Sequence, residues 1–141
     1  MKRFLALILV LAFASFASAA VRDCGFFTVD IPDSWTVDSD TEEMTAVLIN
    51  PEKTLSFTVE VAESEGSAVI DIAKAIFEDM KGENFKELPG DGESYEFTAV
   101  DEGQPIYVQV FSLSKEYMGF IAISGDRESD LATKIFNSIE F

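Results

Sequence analysis

Two segments in the second half of the chain are apolar on both sides of an extended backbone. Residues 105–113 read PIYVQVFSL, and residues 117–124 read YMGFIAIS. Successive side chains of a strand point to opposite faces of its sheet. Strands that are apolar at both alternating positions are therefore buried on both faces. The two segments predict the centre of a sheet that is covered on both sides, and their short connection predicts antiparallel pairing.

Other segments alternate apolar and polar residues, which is typical of strands with one face in water. They are residues 24–32 (CGFFTVDIP), 55–61 (LSFTVEV) and 94–100 (SYEFTAV). Residues 44–50 (MTAVLIN) predict a further strand, which ends at Asn50 and Pro51. Residues 84–88 (NFKEL) predict a short edge strand. Pro32 ends the first of these strands because proline has no N–H for the ladder.

Two further segments have apolar residues at helical spacing. The first covers residues 69–80 and is followed by Gly82, a typical C-terminal stop. The second covers residues 127–139, with Asp126 predicted as its N-cap. Central strands covered on both faces, with two helices available, predict an α+β fold. We expect an antiparallel sheet of about six to seven strands with a helix on each face, a three-layer α/β/α sandwich.

The N-terminus has the three-part pattern of a secretory signal peptide. Lys2 and Arg3 precede ten apolar residues, and small residues follow at Ala17 and Ala19. The apolar run is short for a membrane span, which needs about 20 residues. An uncleaved anchor is the alternative interpretation. We expect cleavage after Ala19, which leaves residues 20–141 as one globular domain without membrane insertion. The protein is then exported, to the periplasm or the extracellular space.

The domain predicted after cleavage is strongly acidic. Residues 20–141 contain eight basic residues and 26 acidic ones, a net charge of −18. A field of this sign repels phosphate backbones and anionic lipid head groups, so we expect no nucleic acid partner. Cys24 is the only cysteine, so an internal disulfide is excluded. Its thiol is then buried, free, or paired with another chain, and burial is the favoured interpretation.

The segment TVDIPDSWTVDSDTEE, residues 28–43, contains the only tryptophan, Trp35. A tryptophan next to a turn at a strand end usually packs against the sheet, so Pro32 and Trp35 are predicted to be structural residues. A ligand platform is the alternative for Trp35. The acids that follow it (Asp38, Asp40 and Glu42) resemble the opening of a calcium-binding loop, but Glu43 stands at the glycine position of that motif. A solvated loop is the favoured interpretation, and a weak calcium or magnesium site is the alternative.

Residue types also limit the chemistry. The chain has no histidine and one cysteine, so the usual zinc and copper ligand sets and the Ser–His and Cys–His catalytic pairs cannot be assembled. No nucleophile elbow, P-loop or dinucleotide-binding glycine motif occurs. The sequence therefore predicts a protein that is not an enzyme and has no cofactor.

Two stretches carry a family resemblance. Residues 26–35, FFTVDIPDSW, resemble the strand, proline and tryptophan opening of the PsbP-like superfamily, which includes small DcrB-like periplasmic proteins. Residues 120–141, FIAISGDRESDLATKIFNSIEF, are similar to its strand and helix ending. The resemblance implies an α/β/α sandwich, an accessory or partner-binding role, and a structural corner position for Trp35. It transfers no functional residue.

The leading hypothesis is a non-enzymatic, exported accessory domain of unknown specific role. We expect it to bind another envelope or extracellular protein through its acidic sheet face or its loops. The alternative is a protein that binds a small ligand or a divalent cation in the region from Trp35 to Glu43.

Overall fold

A computed structural model describes residues 19–141, which form nine strands and two helices. In chain order these are β1 (Ala19–Asp23), β2 (Thr28–Pro32), β3 (Thr36–Asp40), β4 (Thr45–Ile49), β5 (Ser56–Glu63), α1 (Val69–Asp79), β6 (Glu83–Glu87), β7 (Ser94–Asp101), β8 (Gln104–Ser112), β9 (Tyr117–Ser124) and α2 (Asp130–Ser138).

Seven of the strands form one antiparallel sheet in the order β3-β4-β5-β9-β8-β7-β6. β9 has three strands on each side of it, and β8 is its neighbour. The doubly apolar segments therefore lie at the centre, as predicted, and the antiparallel α+β class is confirmed. β1 and β2 form a separate two-stranded sheet. The sequence pattern did not predict that separation, because alternation shows that a strand has one buried face but not which sheet it joins.

The buried apolar side chains form two clusters. The first cluster includes residues of β2, β4, β5, β8, β9 and α2, and its member Phe57 has no exposed surface. The second cluster includes residues of α1, β7, β8 and β9. The neighbours Tyr107 and Val108 of β8 belong to different clusters. Because adjacent strand residues point to opposite faces, one strand contributes to both clusters.

Both helices lie close to the predicted segments, but their ends differ in detail. α1 ends at Asp79, and the residue with left-handed backbone is Lys81, not Gly82. Gly82 is needed for another reason, since a Cβ there would overlap the rings of Phe77 and Phe97. The prediction of Asp126 as the N-cap of α2 is wrong. The helix begins at Asp130, and the Ser129 hydroxyl caps it by accepting a hydrogen bond from the backbone N–H of Ala132 at 3.2 Å.

Asp126 instead stabilises the turn before that helix. One of its carboxylate oxygens accepts a hydrogen bond from the backbone N–H of Glu128 at 3.1 Å. The serine takes the cap because it is the residue directly before the first helical turn, while Asp126 lies one short turn earlier.

The predicted signal peptide, residues 1–19, lies outside the described residues except for Ala19. In β1, Ala19 is opposite Pro32, so cleavage after Ala19 would remove the first residue of that strand. Within residues 19–141, the two helices are too short and too polar to cross a membrane.

Candidate functional site

The structure places Trp35 inside the protein. Its side chain is 4% exposed and belongs to the first cluster, and the centre of its ring is 6.2 Å from that of Phe57. The backbone N–H of Trp35 donates to the carbonyl of Pro32 at 3.1 Å, which closes the turn between β2 and β3. Both residues predicted to be structural therefore lie at one corner of the fold.

The acids of the Trp35 region do not converge. Asp38 and Asp40 lie on β3, an exposed edge strand, whereas a loop was expected there. One Asp40 oxygen accepts hydrogen bonds from the backbone N–H groups of Glu42 and Glu43, at 3.0 and 3.1 Å. The carboxylate thus stabilises its own turn. Among residues 19–141, no group of three or more histidine, cysteine or acidic side chains could hold a metal ion.

Cys24 is buried, at 3% exposure, and it forms no disulfide. Burial and the nearby Asp23 carboxylate raise the pKa of its thiol. A thiol with a raised pKa is mostly protonated at neutral pH and reacts poorly. This placement favours the inert interpretation over pairing with another chain.

A group of five charged and aromatic residues, here called the Arg127 cluster, lies where β6, β7 and β8 meet the loop after β9. Its members are Lys86, Glu96, Tyr107, Arg127 and Glu128. Glu96 is only 13% exposed at its side chain and is the centre of the group. Glu96 accepts a hydrogen bond from the Tyr107 hydroxyl at 2.5 Å. It also forms an ion pair with Lys86, at an N···O distance of 2.8 Å. The guanidinium of Arg127 is 4.0 Å from the same carboxylate.

The sheet register and one loop assemble this cluster. Lys86 of β6 is directly opposite Glu96 of β7. Tyr107 of β8 is opposite Thr98, two residues beyond Glu96, so the tyrosine reaches the carboxylate diagonally. The loop after β9 then places Arg127 over the tyrosine ring, with the guanidinium carbon 3.8 Å from the ring centre. Glu128 accepts a hydrogen bond from Arg127 Nε at 2.7 Å.

Interactions within the cluster shift the pKa values of Tyr107, Glu96 and Arg127 away from neutral pH. Burial and the hydrogen bond to Glu96 raise the pKa of Tyr107 well above its usual range. Burial alone would raise the pKa of Glu96, but the hydrogen bonds from Lys86 and Tyr107 outweigh it and lower that pKa. Burial would lower the pKa of Arg127, but the contact with Glu128 and the neighbouring negative groups raise it. Side chains that transfer protons in catalysis have pKa values near the working pH. The pKa values of Tyr107, Glu96 and Arg127 are instead shifted away from it.

Surface depressions surround Arg127. The largest has a volume of about 520 Å³ and is here called the Arg127 groove. It is lined by Thr54, Thr98, Gln104, Pro105, Ile106, Tyr107, Gly125, Asp126, Arg127 and Glu128. A smaller depression of about 210 Å³ adjoins it at Tyr107, Arg127 and Glu128. The groove thus combines a small apolar wall with an arginine held in place by stacking and by carboxylates.

Sequence reasoning missed the Arg127 cluster. The sequence pattern predicted residues 105–113, which include Tyr107, only as a buried strand, and it singled out neither Glu96 nor Arg127. The available signal was only a carboxylate between Tyr95 and Phe97, on the polar face of a strand whose residues alternate in burial. That signal cannot identify the partners, because they depend on strand order and register.

The lowered pKa of Glu96 gives a pH-dependent prediction. Its ionised form stabilises the fold above the pH at which glutamate titrates in the unfolded chain, about 4.3, and this contribution is lost as the pH falls through the lower folded value. We expect Glu96→Gln to be less stable than wild type at neutral pH, by a margin that shrinks below about pH 4.

Urea unfolding across this pH range measures the margin. The matched control is Glu102→Gln, in the exposed turn between β7 and β8. A margin for Glu96→Gln that does not change with pH would contradict the assigned role of the carboxylate.

Neither a known protein family nor a curated protein sequence matches the chain. Among solved structures, a protein from Bacteroides thetaiotaomicron VPI-5482, determined at 1.50 Å resolution, is similar with a TM-score of 0.53 and 14% identity. The similarity covers 88% of this chain and 48% of that one, so the chain spans about half the length of this neighbour. Similarity at this identity shows the fold alone.

Proposed function

We propose that the protein is a non-enzymatic, exported domain that binds another envelope or extracellular protein, and that the Arg127 groove is a contact surface for that partner. The observation that carries the proposal is the fixed Arg127–Tyr107 stack beside the groove. Arginine and tyrosine are enriched among the residues that dominate protein–protein binding energy. An arginine already held by stacking loses little further freedom when a partner binds.

The chemistry of the cluster supports binding over catalysis. Tyr107 has a raised pKa, and Glu96 has a lowered one. At neutral pH the phenol therefore stays protonated and the carboxylate stays ionised, so neither is poised to exchange a proton. Asp126 and Glu128 add negative charge around the groove. The surface is suited to a partner segment that is basic overall.

The proposal extends to the fold family and to export. The three-layer arrangement is supported by the assignment of α1 and α2 to different core clusters. The PsbP-like resemblance is supported by residues 26–35 and 120–141. The signal-peptide pattern of residues 1–19 supports export. N-terminal sequencing of protein recovered from the envelope or the medium tests the cleavage, with Ala20 expected as the first residue.

A comparison of two charge-matched variants tests the binding surface. Arg127→Ala removes the stacked cation, whereas Lys134→Ala removes an exposed cation of α2 that does not line the groove. Quantitative affinity capture from envelope extract should recover the same protein with wild type and with Lys134→Ala. The amount recovered with Arg127→Ala should be lower by about tenfold. Circular dichroism checks that both variants are folded. Recovery of no protein at low and at physiological salt would count against the proposal.

The second candidate function is binding of a small ligand, and one observation favours it. The volume of the Arg127 groove falls within the range of small-molecule sites, roughly 300–1,000 Å³. This observation favours Arg127 over the buried Trp35 as the position of such a ligand. Thermal-shift screening of wild type against Arg127→Ala distinguishes this candidate from protein binding.

Binding of a divalent cation in the region from Trp35 to Glu43, the other form of the second candidate function, can be tested directly. Asp38, Asp40 and Glu42 do not form a ligand set, so we expect millimolar calcium to change neither the fluorescence of Trp35 nor the melting temperature. A saturable change in either would show that the acids rearrange around an ion. Sodium chloride at the same ionic strength controls for general screening of the acidic surface.

A further inference from the structure

α1 leaves part of the sheet without a helical cover. The cluster on which it packs contains residues of α1 and of β6 to β9, and among residues 19–141 it contains none of β3, β4 or β5. Strands lie about 4.8 Å apart and a helix is about 10 Å wide. One helix therefore covers only part of a seven-stranded sheet, and β3 to β5 extend beyond it.

The sheet register identifies the residues of this uncovered area, here called the open face. Opposite residues in a ladder share a face. Phe120 of the second cluster is opposite Glu60, and Glu60 is opposite Thr45. Thr45 is in turn opposite Asp40. The next row runs from Ala122 through Thr58 and Val47 to Asp38. The open face thus changes from apolar beside α1 to acidic at the β3 edge.

A groove runs along the boundary between α1 and the open face. Its volume is about 330 Å³, and its apolar lining includes Ile72 and Ile76 of α1 with Met118 and Phe120 of β9. Ile72 and Ile76 are one helical turn apart, so they form a short apolar ridge. Glu60 and Glu63 lie on the β5 side, and no basic residue is among the lining side chains.

We propose that this groove binds an amphipathic, basic helix of a partner protein, which lies beside α1 on the open face. The apolar side of that helix contacts Ile72, Ile76 and Phe120, and its lysine or arginine side chains reach Glu60 and Glu63. α1 has 11 residues, a length of about 16 Å, so about three turns of a partner helix lie alongside it. The surface is distinct from the Arg127 groove and does not depend on it.

Charge complementarity selects this occupant. The acids of the groove and the net charge of −18 predicted for residues 20–141 repel a second copy of the same chain, which carries the same acids. They also repel an acidic helix. A basic amphipathic helix complements the whole groove. Its apolar side contacts the apolar lining, and its positive side chains face the glutamates of β5.

A designed peptide tests the proposal. The probe is a helix of about 14 residues, four turns, made of leucine and lysine with all leucines on one side. We expect saturable NMR shifts of the methyl groups of Ile72, Ile76 and Met118. The double variant Glu60→Gln, Glu63→Gln should bind about threefold to tenfold more weakly, since each exposed ion pair contributes little. The control Asp101→Asn, Glu102→Gln removes the same charge in the β7–β8 turn and should change affinity less than about twofold.

Several results would overturn the proposal. One is equal binding of a scrambled peptide of the same composition, which would show attraction to charge alone. A second is a set of shifts outside the α1 groove, and a third is equal weakening by the control variant. Self-association through the groove, detected by sedimentation, would identify a second copy as the occupant. Arg127→Ala should leave peptide binding unchanged, so failure here is separable from failure at the Arg127 groove.

Discussion

Replacing Trp35 with alanine is expected to lower the free energy of unfolding by about 3 to 5 kcal/mol, the usual cost of removing a large buried aromatic side chain. The side chain is 4% exposed and packs against Phe57, which has no exposed surface. Its loss leaves a cavity in the first cluster at the corner between β2 and β3. Since domains of this size are stable by about 5 to 15 kcal/mol, the variant loses a large share of its stability.

Urea unfolding followed by circular dichroism measures this loss, because the variant has no tryptophan fluorescence. Trp35→Phe should lose less, since it keeps an aromatic ring in the cluster. Val100→Ala is the surface control, because Val100 is 70% exposed and its truncation should cost no more than about 0.5 kcal/mol. A cost below about 1 kcal/mol for Trp35→Ala would contradict the packing role and return the residue to the ligand-platform interpretation.

The second large effect is expected at Gly125, which begins the turn that carries Arg127. Its φ of +107° is one that residues with a side chain rarely adopt, and a Cβ there would overlap the backbone carbonyl of Thr54. Backbone strain costs about 1 to 3 kcal/mol, and forced overpacking costs a similar amount. We therefore expect Gly125→Ala to lower the free energy of unfolding by roughly 2 to 6 kcal/mol.

Gly103→Ala separates the two causes. Gly103 also has a positive φ, +80°, but nothing lies within 4 Å of a Cβ added there. It should show the backbone strain without the overlap, and denaturant unfolding of both variants gives the difference. Equal losses at the two positions would show that Thr54 moves aside at little cost. The Gly125 variant should also weaken whatever binds the Arg127 groove, since Gly125 itself lines it.

The strands and helices that pack through regular apolar patterns were predictable. In β7, Tyr95, Phe97 and Ala99 alternate with polar residues and are all buried. β3 was not predictable in this way, because its sequence TVDSD contains one inward apolar residue, Val37. Its extended form depends on pairing with β4 through a turn that Asp40 stabilises. The extended form of β3 is thus set by its hydrogen bonds to β4 and by the Asp40 carboxylate, and apolar periodicity reports neither.

The candidate site was harder to predict for a related reason. Glu96 and Tyr107 meet only because β7 and β8 pair in one particular register. Arg127 joins them from a loop that returns across the sheet after β9. Single residues of the correct chemical types occur in many places in so acidic a chain. Only the long-range arrangement distinguishes the carboxylate that orders an arginine from those that face water.

The two outer strands of the main sheet bear on how the protein behaves at high concentration. Within residues 19–141, β3 and β6 each have one side without a neighbouring strand, and such sides can recruit strands of other molecules. β3 contains Asp38 and Asp40, and β6 contains Glu83 and Glu87. Like charges on approaching copies oppose fibre-like stacking, and this protection weakens when salt screens them. The acidity of the two edge strands thus opposes polymerisation of this chain.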